Sequence, residues 1–575
     1  MRGAAIRTGW AAVLCAAALS GWTARDAAAA EAPPTDQLLP PETYVFVTCP
    51  SVETLKERFN ESSTGRLWQD RSMAAFREHI EAQKETLEKE FQDRVGLPLM
   101  QVLALPKGET TFAVARGDAN QLGSILIADV GEEHDGLEAV LDRIDEALKD
   151  AGGEHSTENV NGVELQLFTR RPTEGEPDTM GYYTRETLVV FSTSVALLKG
   201  SLSRWDDTSA ATFSQNEVYR TIVGSTRESD SEESDLYYFA DPVNLIQATL
   251  QSNPSTTMQS VLFSANLAKT GLDKLKGIGG AATLSSESFD SVSRTMVYVD
   301  QPLTGLLRFF RMPAREQSPP AWVSRNIDQY TGLSWDPEGA YQGIASVYDE
   351  VMGQPGGFDA FIEQAAVHPS NPGIHPKKDV FDQMTGQAHV LGDFENSGGT
   401  PTQRMVFAIG IKNDVHMQSL LEKLVARAGA IQKRAFEGTT VYEFDLSLPD
   451  PEAPSPAFAV NRNFLLVSTH AAALENVLRN AASGSDPLSG AEDYQAVARH
   501  FPRQTSSIGF ARASAQIGQI WEQARGGEFE NQIEGIDFRK LPEFKSVERF
   551  FSASGTYIVP VEKGAIFVQF SLPVE

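Results

Sequence analysis

Cysteine is almost missing: Cys15 and Cys49 are the two in 575 residues. A disulfide framework is therefore excluded, and stability must come from packed cores. Long hydrophobic runs are missing as well. Beyond the first thirty residues no stretch approaches the roughly 18 apolar residues that a membrane-spanning helix needs. Positive charge is scarce, with 49 Lys and Arg against 77 Asp and Glu, a net charge of −28. Such a chain repels phosphate backbones and anionic membrane surfaces, so nucleic acid is not an expected partner. Local catalytic signatures are lacking too. The chain has no G-x-S-x-G elbow, P-loop, H-E-x-x-H or C-x-x-C, and no convincing G-x-G-x-x-G after a strand.

What is present begins with an export pattern. Arg2 and Arg7 precede the short apolar run Gly9–Trp22, and "AAAAEA" offers an A-x-A cut near Ala29 or Ala30. Residues 1–30 read as a cleavable signal peptide, predicting a periplasmic or extracellular protein. Leu14 stands where a lipobox wants a small residue, which argues against lipidation of Cys15. Removing residues 1–29 discards three arginines and one aspartate, taking the net charge from −28 to −30. At 575 residues the chain is long enough for two to four domains of roughly 100–200 residues each.

The chain also echoes itself. "TLVVFSTSVALLKG" (Thr187–Gly200) returns as "FLLVSTHAAALENV" (Phe464–Val477), with Ser192 and Ser468 276 residues apart. "GSILIADV" and its helix match "RMVFAIGI" and its helix. Leu137, Val140, Leu141, Ile144 and Leu148 share one helical face, as do Met417, Leu420, Leu421 and Leu424. Tyr219 pairs with Tyr494, Gly108 with Gly386, and "LPPET" at Leu39 with "SPPAW" at Ser318, at offsets of 275, 278 and 279. A fixed period of this size predicts a tandem duplication, with repeat one over 37–314 and repeat two over 315–575. "MPAREQSPPAW" joins them as a Pro-rich linker.

Each repeat alternates paired strands with single helices. The expected class is α+β: an antiparallel sheet with helices on one face, written twice as similar halves. A further helix is expected after Ser72 as N-cap, with Phe76, Ile80, Leu87 and Phe91 on one face and Gly96 ending it.

Candidate chemistry is thin. His368, His375 and Asp379 share a turn-rich loop, but zinc ligands come as closer pairs, and the histidines read as water-exposed. His470, where repeat one has Ser194, reads as a helix cap, as do Ser192–Thr193 and Ser468–Thr469. "RESDSEESD" (Arg227–Asp235) lacks EF-hand spacing and reads as a solvated acidic loop. Tyr237, Tyr238, Phe239, Phe309 and Phe310 read as core. The glycines of "KGIGGAA" read as permitting a turn. No residue is assigned as catalytic, cofactor-binding or metal-ligating, and no cofactor is expected.

"LLPPETYVFVTCPSVETLKERF", the pair "LALPKGE" and "KKDVFDQMTGQ", and "LPEFKSVERFFSASGTYIVPVEKGAIF" resemble a family of large secreted bacterial proteins. That family is best known in planctomycetes and is catalogued as a domain of unknown function. Asp379 and Gly386 match its Asp-to-Gly turn, whereas repeat one has Gln101 where the Asp is expected. The resemblance implies export and a repeated α+β design, and brings no activity. The functional expectation is an exported, non-catalytic binding or scaffolding protein with an unknown protein or envelope component as partner. The alternatives are a hydrolase with a non-local carboxylate site between the repeats, or a carrier of an apolar ligand.

Overall fold

The structure, a computed structural model, describes residues 32–83, 105–118, 121–131, 135–150, 152–170, 178–227, 233–395, 402–427, 431–444, 455–484, 486–529 and 535–574. The expected signal peptide, Gln101, and most of the acidic run after Arg227 lie outside these residues. So do Leu87, Phe91 and Gly96 of the expected long helix. No described helix is long and apolar enough to cross a membrane. The chain forms two compact units. One comprises the chain up to Ser264 with Lys276–Tyr298 and Phe529–Pro542; the other comprises Ala265–Leu275, Val299–Glu528 and the chain from Glu543. The expected division at 314/315 is a single cut, whereas each unit draws on three segments.

The class is α+β, with antiparallel strands throughout the named pairings. In the first unit the strands are β1 (Thr43–Cys49), β2 (Thr110–Arg116), β3 (Leu122–Asp129), β4 (Gly153–Val160), β5 (Val163–Arg170), β6 (Asp178–Arg185), β7 (Leu188–Ser192), β8 (Leu236–Ala240), β9 (Leu275–Leu284) and β10 (Ser291–Val299). Their order across the sheet is β4-β5-β6-β7-β3-β2-β1-β8-β9-β10. The unit's helices include α1 (Val52–Glu61), α2 (Asp135–Asp150), α3 (Val195–Asp206), α4 (Glu217–Thr226) and α5 (Pro242–Gln251). Leu137 and Val140 of α2 are buried, as the periodicity predicts. Alternation in β2 puts Phe112 and Val114 on one face and the fully buried Ala113 and Ala115 on the other. Rings fill the centre: Phe46 lies 5.2 Å from Phe213 and 5.3 Å from Tyr219, and Phe213 lies 5.4 Å from Phe239. Each fully buried ring of this kind contributes roughly 2–3 kcal/mol of transfer free energy.

In the second unit the strands are β11 (Gln329–Ser334), β12 (Met384–Glu395), β13 (Thr402–Ile411), β14 (Ile431–Phe436), β15 (Thr439–Phe444), β16 (Ala457–Asn461), β17 (Phe464–Ser468), β18 (Ser507–Arg512), β19 (Ala553–Val561) and β20 (Gly564–Ser571). Their order is β14-β15-β16-β17-β13-β12-β11-β18-β19-β20. The helices are α6 (Pro337–Met352), α7 (Gly357–Val367), α8 (Asp414–Val425), α9 (Ala471–Ser483), α10 (Glu492–Ala498) and α11 (Ala513–Gly526). Strand for strand, this is the order of the first unit. Both meanders turn on left-handed pairs: Asn161 and Gly162 at φ of 52° and 85°, Glu437 and Gly438 at 45° and 74°. The outer strands β4, β6, β14 and β16 escape the sequence reading. β4 is polar, β6 and β14 set their apolar residues between polar ones, and the apolar run of β16 is only four residues long, Ala457–Val460, and leads into no helix.

Three local expectations are corrected. Asp70 rather than Ser72 caps the turn at Arg71–Met73, accepting from the Ser72 N–H at 2.9 Å; the following helix occupies 74–83 within the described residues. Phe309 and Phe310 are 41% and 62% exposed, not core, because they end a short helical turn whose buried side is Gly305 and Leu307. Tyr237 and Phe239 are core, while Tyr238 faces Thr295 with hydroxyls 2.5 Å apart. The "KGIGGAA" glycines lie inside β9. A Cβ on Gly280 would sit 1.9 Å from the Arg294 carbonyl oxygen, so close strand approach explains them better than a turn.

Candidate functional site

The two Ser-Thr motifs do the same work in the two units. Ser192 Oγ donates to the Ser124 carbonyl at 2.7 Å, the Ser124 N–H donates to Thr193 Oγ1 at 3.0 Å, and Ser192 Oγ accepts from the Ser194 N–H at 3.0 Å. Ser468 Oγ donates to the Met405 carbonyl at 3.0 Å, the Met405 N–H donates to Thr469 Oγ1 at 2.9 Å, and Ser468 Oγ accepts from the His470 N–H at 3.2 Å. These hydroxyls knit the end of β7 or β17 to the neighbouring strand. They are not the helix caps. Ser194 is the cap of α3, accepting from the Leu197 N–H at 3.3 Å.

His470 takes the place of Ser194 but makes no capping bond. The expected cap is corrected: Ser455 Oγ accepts from the first N–H of α9, at Ala471, at 3.1 Å. The His470 ring turns inward instead. Nδ1 lies 2.9 Å from Thr469 Oγ1, while Nε2 is buried with no hydrogen-bond partner among the described residues. Burial, and then the Arg404 charge, hold its pKa below the ordinary histidine value.

This shared frame fixes which residues correspond. Ile125 pairs with Ser192 and Val406 with Ser468, so two residues back along each strand Gly123 corresponds to Arg404. Gly123 faces Ala115, and Arg404 faces Asp393. In the first unit the place is filled. A Cβ on Gly123 would lie 2.8 Å from both Leu197 Cδ1 and Ser194 Cβ, and Ala115 is fully buried. In the second unit Leu197 is matched by Ala473, and the segment before the first strand is longer. "LPP" and "SPP" stand 279 apart, but Phe46 and Tyr330, in matching register, stand 284 apart. The added residues supply Ser324, Asn326 and Ile327 as one wall of a cleft of about 260 Å³.

The cleft has an apolar floor of Leu391, Val406 and Val477 and a polar rim that includes Arg404, Asn476, Arg479 and Asn480. Arg479 is held by Asn476, donating from Nη1 to Oδ1 at 2.7 Å. Asp393 Oδ1 is buried and has no hydrogen-bond partner among the described residues. Burial lifts the Asp393 carboxyl above the ordinary carboxylate range; Arg404 opposes the shift and Asp328 adds to it. Asp328 is itself raised by burial, and its Oδ2 accepts from the Phe394 N–H at 3.1 Å. A buried carboxyl oxygen without a donor carries a desolvation cost.

The other candidates have structural partners. His375 caps the turn at Pro376–Val380, accepting from the Lys378 N–H at 3.4 Å, and its Nε2 lies 3.1 Å from Glu363; it is not an exposed loop histidine. His368 is exposed, with Nδ1 2.6 Å from Ser370 Oγ. Asp379 Oδ2 accepts from the His375 N–H at 2.7 Å, and its Oδ1 lies 3.5 Å from His416 Nε2. Among the described residues no group of three or more His, Cys, Asp or Glu is placed to hold a metal. Asp235, at the end of the acidic run, is buried and pairs with Arg58 at 3.0 Å, so that end is not solvated. Burial pushes the Cys49 thiol up to about 11.

A second polar cluster escapes the sequence reading. Glu109 accepts from the Thr35 N–H at 3.1 Å, from the Thr35 hydroxyl at 2.8 Å and from the Thr48 hydroxyl at 3.1 Å. Nearby, the Tyr219 hydroxyl donates to Asp36 at 3.5 Å. Burial, reinforced by Glu109, pushes Asp36 up to about 6. Its members are scattered over residues 35–219, so no local spacing announces it.

Residues 385–535 match the model of a family described as "Protein of unknown function (DUF3352)". The match covers the cleft's strands β12 and β13 and helix α9, but not its 324–327 wall. No curated protein and no solved structure matches the chain.

Proposed function

We propose that this chain is an exported, non-catalytic binding or scaffolding protein built by tandem duplication, whose second copy carries the ligand site. The observation that supports the reading is the contrast at one address of a shared frame: the Gly123–Ala115–Leu197 plug against the Arg404–Asp393–Ala473 cleft. Matching strand orders and matching hydroxyl networks support the duplication, with repeats over 37–314 and 315–575. The N-terminal pattern in residues 1–30 supports export, and with it a secreted or periplasmic setting and an envelope component as partner. Likeness to a planctomycete family of secreted proteins belongs to the same proposal. The net charge of −28 speaks against nucleic acid as that partner.

Amides, guanidiniums and a carboxyl group over an apolar floor make a recognition surface, with many orienting donors and fewer acceptors. The test is capture from native envelope after mild crosslinking, comparing the wild type with Ala473→Leu, which restores the first unit's plug. A reproducible partner that the variant loses is the expected result. Equal recovery by both proteins would refute a role for the cleft. The hydrolase reading rests on the raised carboxyls of Asp328 and Asp393. It requires turnover that Asp393→Asn abolishes without loss of binding.

A further inference from the structure

The chemistry of the cleft narrows what it takes. Its volume of about 260 Å³ falls below the roughly 300–1,000 Å³ of sites for drug-sized ligands, so it suits one ring-sized group. The floor of Leu391, Val406 and Val477 asks for a face of C–H groups. The rim offers side-chain amides from Asn326, Asn476 and Asn480, each both donor and acceptor, which match neighbouring hydroxyls. Asp393 lines the cleft, and a carboxyl group there can accept from a ligand hydroxyl. Arg404 and Arg479 both line the cleft, in a chain whose net charge is −28. Guanidinium pairs suit a carboxylate. A purely apolar ligand would strand all of these groups, and a bare anion would leave the floor uncovered.

Resting on the binding reading above, we infer that the cleft of the second unit binds a carboxylated sugar residue, a hexuronate, its carboxylate toward Arg404 and Arg479 and a hydroxyl toward Asp393. Free hexuronates and the end residue of an acidic polysaccharide share this chemistry.

Calorimetric titration and saturation-transfer NMR of the full chain with glucuronate, galacturonate and a galacturonate trimer test it, with glucose and acetate as controls. At least one uronate should bind at least about tenfold more tightly than either control, a difference that one charge-assisted contact supplies. Ala473→Leu and Arg479→Gln should each remove that preference. If Ala473→Leu fails to fold, Arg479→Gln carries the comparison, since Arg479 is exposed. Binding by monomer and trimer alike points to an end residue, and binding of the trimer alone to a polymer. Acetate binding as well as the uronates, or a preference unchanged in both variants, would overturn the inference. No uronate binding, while Ala473→Leu still abolishes capture of the envelope partner, would overturn the ligand class and leave the binding reading standing.

Discussion

The same ten-strand frame is filled in two ways. In the first unit Phe46 pairs with Ala113, and two residues along the strand Thr111 is hydrogen-bonded to Thr48 at 2.6 Å. In the second unit Tyr330 takes the Phe46 position and His389 that of Thr111; the Tyr330 hydroxyl lies 3.0 Å from His389 Nδ1. Trp322 and Phe464 close around His389 with ring centroids 5.9 and 5.3 Å away. One unit stores a carboxylate cluster at Asp36 and Glu109, and the other a neutral buried imidazole. One plugs its β3–α3 corner with Leu197, and the other leaves a cleft against α9. Backbone topology set by strand pairing leaves side chains at equivalent addresses free to become core or site.

The sharpest way to break this comparison is to hollow the filled corner. Leu197→Ala removes a 4%-exposed side chain, and the first unit should lose about 3 kcal/mol. Hydrogen exchange should then speed up in β3, β7 and α3. Unchanged protection would mean that Leu197 is not the plug.

Acid should separate the units next, because their titrations have opposite sign. Burial takes His389 down to about 4 from the ordinary 6.5, so its contribution is present above 6.5 and lost as the pH falls toward 4. The second unit should lose up to about 3 kcal/mol over that window, since each tenfold change in proton affinity is worth about 1.4 kcal/mol. Asp36 is raised to about 6 from 3.8, so its contribution is present below 3.8 and lost as the pH rises through 6. Between pH 6.5 and 4.5 the first unit's Asp36 contribution should therefore grow while the second unit weakens. Segment-resolved hydrogen exchange against pH reads both, and His389→Leu and Asp36→Asn should flatten one profile each.

Transplanting the cleft's cation is a smaller perturbation. Gly123→Arg must displace Leu197 and Ser194, costing the first unit about 2 kcal/mol by overpacking, whereas Arg404→Gly in the second unit relieves no clash. Urea unfolding of the two variants should show the larger shift for Gly123→Arg. The smallest effect belongs to Ala473→Leu. Ala473 is buried but lines the cleft, so the added carbons enter it and stability should fall by about 1 kcal/mol while ligand access is lost. A thermal melt within a few degrees of wild type checks it.

Much of the frame was legible because packing leaves a periodic trace. β7 and β17 announce themselves as apolar runs entering helices, and α2 and α8 by one-sided stripes. Tyr219 and Tyr494, paired by offset, sit beside Phe239 and Phe510, which share a register position. The strands β4, β6, β14 and β16 were not legible, since β4 and β14 have no buried residue and the buried side chains of β6 and β16, Tyr182, Tyr183, Ala457, Ala459 and Val460, stand in runs too short to announce a strand. The cleft was even less so. Arg404, Asp393, Asn476 and Asn326 carry no local signature and are spread over about 150 residues, and only strand pairing brings them together.

By itself the sequence determined the class of fold, the internal echo, the acidity and the scarcity of cysteine. These are properties of composition and short-range periodicity, which any window of the chain displays. The tertiary structure alone decided which echo positions became plug and which became cleft, that His470 turns inward instead of capping, and that Asp393 Oδ1 meets no donor among the described residues. Each of these depends on what stands across a sheet or under a helix, a neighbour chosen by folding and not by adjacency in the chain.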